Sequence, residues 1–163
     1  MTYRVLGVDP GTAVTGYGIL EQADGEPGKL VECGVIRTNP REPLWIRLHH
    51  LHDEVAQLIA RHKPDTMAVE SVFYAKNVRT TISLGHARGA ILVAAASAGL
   101  DVAEFPPATV KKTIVGRGAA AKSQVAFMVK HLLHLSAPPE PDDAADGVAL
   151  ALTHLMTKRI IAQ

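Results

Sequence analysis

A chain of 163 residues, 47% of them hydrophobic, is long enough for one domain with a sizeable core and too apolar for wholesale disorder. Its single cysteine, Cys33, excludes an intramolecular disulfide scaffold and fits a reducing cytosol. The net charge of +1 hides an asymmetry: residues 71–139 carry eight Lys or Arg against two acids, for +6, and the remainder carries −5. A basic part beside an acidic part suggests a polyanion partner on one face, although an unevenly charged solvated surface would read the same way.

The opening Met1-Thr2-Tyr3-Arg4 and the apolar run that Asp9 breaks do not form a signal peptide. Residues 3–9 read as a buried strand stopped by Pro10-Gly11, and residues 14–21 and 30–38 as two more strands joined by short glycine-containing turns, hence an antiparallel meander. Residues 43–62 place Leu44, Leu48, Leu51, Val55, Leu58 and Ile59 on one helical stripe, and residues 66–70 form a short strand ending at Glu70. Residues 78–98 form a long helix. It lies in the longest apolar region of the chain, which His86 and Arg88 interrupt, so no membrane span is expected. A fifth strand at 101–105, a helix from Pro106-Pro107 to about Val115, and a small-residue loop at 116–121 follow. Helix 123–133, a proline loop at 136–141 and a last helix from Asp142 to about Lys158 complete the chain, which has no repeat and no linker and is expected to be one domain over 1–163. This order is that of the ribonuclease-H-like α/β fold, a five-stranded mixed sheet flanked by helices. Right-handed crossovers would then bring the fourth strand beside the first.

Taken singly, most of the acids have ordinary explanations. Asp9 precedes a Pro-Gly turn, and Asp142, Asp143 and Asp146 open a helix, where carboxylates cap free amides and favour the positive end of the dipole. Glu70 is harder to explain, because a charge at the end of an apolar strand is expensive to bury unless it is paired or metal-bound. Taken together, two acids close two strands expected to be adjacent, and a further pair shares one face of a helix. Carboxylates that converge repel one another unless a cation neutralises them, and oxygen-only ligands suit Mg2+ or Mn2+ better than zinc. Spacing alone does not choose between Asp143 and Asp142 as the partner of Asp146. The histidines His49, His50 and His52 are expected on a helix surface or in packing. Carboxylates beside a basic region suit phosphodiester hydrolysis assisted by two cations.

From Gly7-Val8-Asp9-Pro10-Gly11-Thr12 the chain resembles the RuvC-type Holliday-junction resolvases. The likeness continues through Ala68-Val69-Glu70-Ser71-Val72-Phe73, Ala75-Lys76-Asn77, Gly85-His86-Ala87-Arg88-Gly89 and Val110-Lys111. It ends with Val115-Gly116-Arg117-Gly118, Ala121-Lys122-Ser123-Gln124-Val125 and Asp143-Ala144-Ala145-Asp146-Gly147, in order and over nearly the whole chain. The resemblance implies that Asp9, Glu70, Asp143 and Asp146 are the catalytic metal ligands, with two Mg2+ per subunit replaceable by Mn2+, and it leaves Asp142 a capping role. It also implies that Phe73 stacks on a base at an opened four-way DNA junction. Lys111 and Lys122 would act near the scissile phosphate, Lys122 as part of the catalytic set, and Lys76, Arg79, Lys112 and Arg117 would contact the DNA backbone. It further implies a cytoplasmic homodimer, paired across the long apolar helix with its Gly85 and Gly89, that makes symmetric, ligatable 5′-phosphate nicks in recombination and repair. That homodimer would work with a branch-migration motor of the RuvA and RuvB type. The competing readings are another ribonuclease-H-like nuclease acting on RNA or branched nucleic acid, an ATP-binding module of the actin and sugar-kinase type, and a non-catalytic DNA-binding module. The last leaves the carboxylates unexplained.

Overall fold

The computed structural model describes residues 1–11, 13–71 and 76–161. Five strands, β1 (Thr2–Asp9), β2 (Val14–Ala23), β3 (Lys29–Arg37), β4 (Thr66–Glu70) and β5 (Asp101–Phe105), form one sheet in the order β3-β2-β1-β4-β5. The first three strands make the expected antiparallel meander, and β4 and β5 join it in parallel, so the mixed sheet of the ribonuclease-H-like fold is present. The helices are α1 (Leu44–His62), α2 (Val78–Ser97), α3 (Pro107–Val115), α4 (Lys122–Leu132) and α5 (Asp142–Ile161).

Alternation along the strands builds two cores from one sheet. Val5, Leu20 and Ala68 point to the side covered by α3, α4 and α5, where they meet Val110, Val129, Val148 and Leu152. Leu6, Val8, Ile19, Met67 and Val69 point the other way, onto Leu51, Val55 and Leu58 of α1 and Ala87, Ile91, Ala94 and Ala95 of α2. The helical stripe read from α1 is thus buried from Leu51 onward, while Leu44 at its start is 42% exposed. His49 and His50 are exposed, and the His49 ring sits 3.2 Å from the Asp53 carboxylate on the next turn. Helix α2 buries one side only and leaves Val78, Ile82 and Val93 exposed. No helix among the described residues is long and apolar enough to cross a membrane.

Helix α5 lies unusually close to the sheet, and glycine permits it. A Cβ added to Gly16 of β2 would stand 1.6 Å from the Asp143 carbonyl oxygen, and one added to Gly147 would stand 2.6 Å from the Tyr17 Cα. Only a hydrogen fits at either contact, so the backbones of α5 and β2 pack directly together.

Three details differ from expectation. The last helix runs to Ile161 rather than about Lys158, and Lys122, expected between the loop and the helix, is the first residue of α4. Its turn is secured by Gln124, whose side-chain oxygen accepts the Ala121 amide at 2.9 Å and the Arg117 guanidinium at 3.3 Å. Asp142 is likewise inside its helix. The cap position belongs to Pro141, whose carbonyl accepts the Ala144 and Ala145 amides, so Asp142 favours the helix dipole instead of capping.

Candidate metal centre and nucleic-acid interface

Three elements deliver carboxylates to one end of the sheet. Strands β1 and β4 run parallel with Val8 opposite Val69, so Asp9 and Glu70, each one residue further on, leave their strands side by side. Asp9 is also opposite Gly16 across the β1–β2 pair, and Gly16 is where the backbone of α5 comes closest. That contact sets the first turn of α5 over Asp9. One carboxylate oxygen each from Asp9, Asp143 and Asp146 lie within 4.8 Å of one another. Glu70 stands outside that trio and faces Asp9 from the neighbouring strand, close enough to perturb its ionisation.

Burial does most to push the Asp9 carboxyl up, to about 9, and the neighbouring Glu70 and Asp146 carboxyls add to the shift. A carboxyl so placed keeps a proton at neutral pH unless positive charge replaces it. The Lys122 ammonium supplies some, donating to the Asp146 Oδ2 at 2.9 Å, and that hydrogen bond is the main reason its own pKa is raised. The contact is to Asp146, at the edge of the trio, and leaves Asp9 without a cation of its own among the hydrogen bonds and ion pairs of the described residues. Partly buried oxygen donors converging from two strands and a helix, with a proton at their centre that a cation could replace, fit a hard divalent cation.

Beside the acids is a cleft of about 250 Å³ whose lining includes Asp9, Glu70, Asp146, Lys111 and Lys122. The expected pairing of acids with Lys111 and Lys122 is therefore present in space: Lys111 comes from α3, Lys122 from the start of α4, and the apolar wall from Val110, Val125 and Leu150. Lys76 and Arg79 are exposed around the start of α2 and do not line this cleft; Lys112 and Arg117 are exposed and do not line it either. Phe73 falls outside the described residues.

Two contributors had no role assigned from sequence. The glycine seat under α5 was legible in principle, because Gly16 and Gly18 interrupt a strand on one face and Gly147 follows Asp146 directly. Arg88, reaching from α2 to the backbone of Glu70, was visible as a basic residue in an apolar helix and as part of a motif carrying the resemblance, but neither signal gave it a role.

The chain is similar to known proteins over most of its length. A family model described as crossover junction endodeoxyribonuclease RuvC matches residues 5–154. The crossover junction endodeoxyribonuclease RuvC of Pelotomaculum thermopropionicum is 50% identical over 150 residues, covering 92% of this chain and 91% of the relative. The Desulforamulus reducens protein of the same description is 47% identical, with 92% and 91% covered. Among solved structures, Thermus thermophilus RuvC superposes with a TM-score of 0.88 at 36% identity, covering 96% of each chain. The same protein in complex with Holliday junction substrate gives 0.87 at 34% identity, again with 96% of each chain covered. The yeast mitochondrial Holliday junction resolvase Ydc2 shares the fold at 14% identity, with a TM-score of 0.72 and coverage of 98% of this chain and 80% of that one.

Proposed function

The chain belongs to the RuvC family of crossover junction endodeoxyribonucleases, and from that premise we propose that residues 1–163 act as one nuclease domain that resolves four-way DNA junctions. The observation that carries this reading is the meeting of four acids from β1, β4 and α5 at one sheet end, beside a cleft that also holds two lysines. Asp9, Glu70, Asp143 and Asp146 would hold two Mg2+, or Mn2+ in their place. Divalent cations held there supply activation of a water molecule and stabilisation of the departing 3′ oxygen. Water oxygen bonds to phosphorus as the bond to the 3′ oxygen breaks, leaving a 5′-phosphate and a 3′-hydroxyl that a ligase can rejoin.

The chain's own residues do the positioning. Lys122 remains protonated and, at the lip of the cleft, can turn its ammonium from Asp146 toward a non-bridging phosphate oxygen. Lys111 approaches the same cleft from α3. Lys76 and Arg79 extend basic charge along the start of α2 for the DNA backbone, and Phe73, in the segment just after Glu70, is assigned to stacking on an unpaired base. Two copies would pair across α2, where Val78, Ile82 and Val93 are exposed and Gly85 and Gly89 have open space around them. A two-fold pair presents two sites to a junction with the same symmetry. A cytoplasmic setting and a branch-migration motor of the RuvA and RuvB type complete the reading. The complex of the Thermus thermophilus relative with Holliday junction substrate supports junction DNA as the substrate.

The test is cleavage of a synthetic four-way junction against linear duplex of the same sequence, with Mg2+. Only the junction should be cut, and equal cutting of both would sink the proposal in favour of a general nuclease. Asp143→Asn should lower single-turnover cleavage on the order of 10³-fold while junction binding without Mg2+ stays within about 3-fold. Lys122→Met should lower cleavage by roughly 10²-fold. Its Mg2+ affinity, read by calorimetry, should be unchanged or tighter, because a cation that competes for Asp146 is gone.

A further inference from the structure

The sheet holds Glu70 on one side only. The β1–β4 pairing ends at Val8 opposite Val69, one residue before Glu70, so on that side the ladder no longer holds it. Toward β5, Glu70 is opposite Phe105, and the Ser71 amide donates to the Phe105 carbonyl at 2.9 Å. Residues 72–75, immediately beyond, lie outside the described residues. A further contact to the Glu70 backbone comes from α2: the Arg88 Nε donates to the Glu70 carbonyl oxygen at 3.4 Å. The same guanidinium is held from below, donating through Nη2 to the Glu104 Oε1 of β5 at 2.5 Å. Arg88 is 22% exposed and Glu104 50%, so the arginine is the inner member of the pair. It follows Ala87, which is buried against the sheet, and its planar fork can reach two acceptors at once.

We infer that Arg88 is a positioning residue for the metal centre. It ties α2 to the carboxyl ends of β4 and β5, and so fixes the backbone from which Glu70 aims its carboxylate toward Asp9. The inference rests on the metal reading of the four carboxylates. It also links the site to the helix proposed to pair two subunits, because one residue of that helix holds one catalytic backbone. A lysine at 88 offers one donor centre in place of two fixed ones and would not hold Glu70 and Glu104 together.

The experiment uses the full chain and titrates Mg2+ against the thermal unfolding midpoint, with junction binding in the absence of Mg2+ measured alongside. Arg88→Gln should raise the Mg2+ concentration at half-maximal stabilisation about 10-fold, with junction affinity changed less than about 3-fold. Glu104→Gln should move the Mg2+ midpoint in the same direction by a smaller factor, and Arg88→Lys should fall between unmutated protein and Arg88→Gln. A lower unfolding temperature with an unchanged Mg2+ midpoint would make Arg88 a packing residue and overturn the inference. Loss of junction binding in metal-free protein would make it a DNA contact and overturn it equally. If Arg88→Gln does not fold, Glu104→Gln decides, since an unchanged midpoint in that variant removes the clamp from the argument. An unmutated protein with no Mg2+ response would instead defeat the metal reading itself, an outcome distinct from variants that respond as the unmutated protein does.

Discussion

Asp9→Asn should make the metal-free protein more stable at neutral pH and at the same time abolish its nuclease activity. The carboxyl of Asp9 is pushed up to about 9 by burial and by Glu70 and Asp146, against an ordinary value of 3.8. Between those two values the folded state holds a proton that the unfolded chain has released. Stability therefore falls as pH rises through that interval, and below it both states are protonated and nothing is lost. An amide in place of the carboxyl removes this dependence. At pH 8 without Mg2+ the variant should gain on the order of 1–2 kcal/mol, or roughly 2–8 °C in unfolding temperature for a chain of this size, and at pH 4 the difference should vanish. The unmutated protein should bind Mg2+ more tightly as pH rises toward 9, because each ion must displace that proton, and the variant should show neither this slope nor Mg2+ stabilisation. Cleavage should drop on the order of 10³-fold. Calorimetric melts at the two pH values, with and without Mg2+, check every part; a variant less stable than the parent at pH 8 would refute the account of Asp9.

Gly16→Ala should damage the site from outside it. Its new methyl group would stand 1.6 Å from the Asp143 carbonyl oxygen and 2.2 Å from that carbonyl carbon, both backbone atoms that no rotamer change can move aside. Helix α5 must lift from β2, at a cost of about 1–3 kcal/mol. The same displacement carries Asp143 and Asp146 away from Asp9, so the Mg2+ requirement for cleavage should rise by at least about 10-fold. Gly85 gives the contrast, since nothing lies within 4 Å of where its Cβ would be. Thermal melts and an Mg2+ titration of cleavage check the prediction. A Gly16→Ala protein that melts lower but keeps its Mg2+ requirement would mean that α5 moves as a body without opening the trio.

The outline of the fold was legible because its signals are local. β-Branched runs, glycine turns and a helical stripe marked the order of elements, and the acids stood out at strand ends where an apolar run gives no reason for charge. What periodicity does not contain is depth. Gly16, Gly18 and Gly147 hinted at a close approach, but the pattern did not say how deep α5 would sit, or that Asp143 rather than Asp142 would face Asp9; the first came from three-dimensional packing and the second from family resemblance. Lys122 showed the same limit at finer scale. Its identity was readable, but its position as the first residue of α4, within hydrogen-bonding distance of Asp146, depends on how Gln124 closes the turn. Asp142 was assigned to capping by its place at the helix start and by the resemblance that selected Asp143, yet the carbonyl of Pro141 occupies that place.

The seating of α5 on β1 and β2 bears on when the protein becomes dangerous to DNA. Asp9 emerges from the ribosome well before Asp143 and Asp146, which follow more than 130 residues later, in α5. A chain still being synthesised, or one whose final helix has come loose, has at most two of the four acids in place and cannot gather the trio. Contacts between residues so distant in sequence form late in folding and are sensitive to partial opening. If the four acids carry the chemistry as proposed, a nascent or partly melted copy that still carries its basic surface would touch nucleic acid without breaking it.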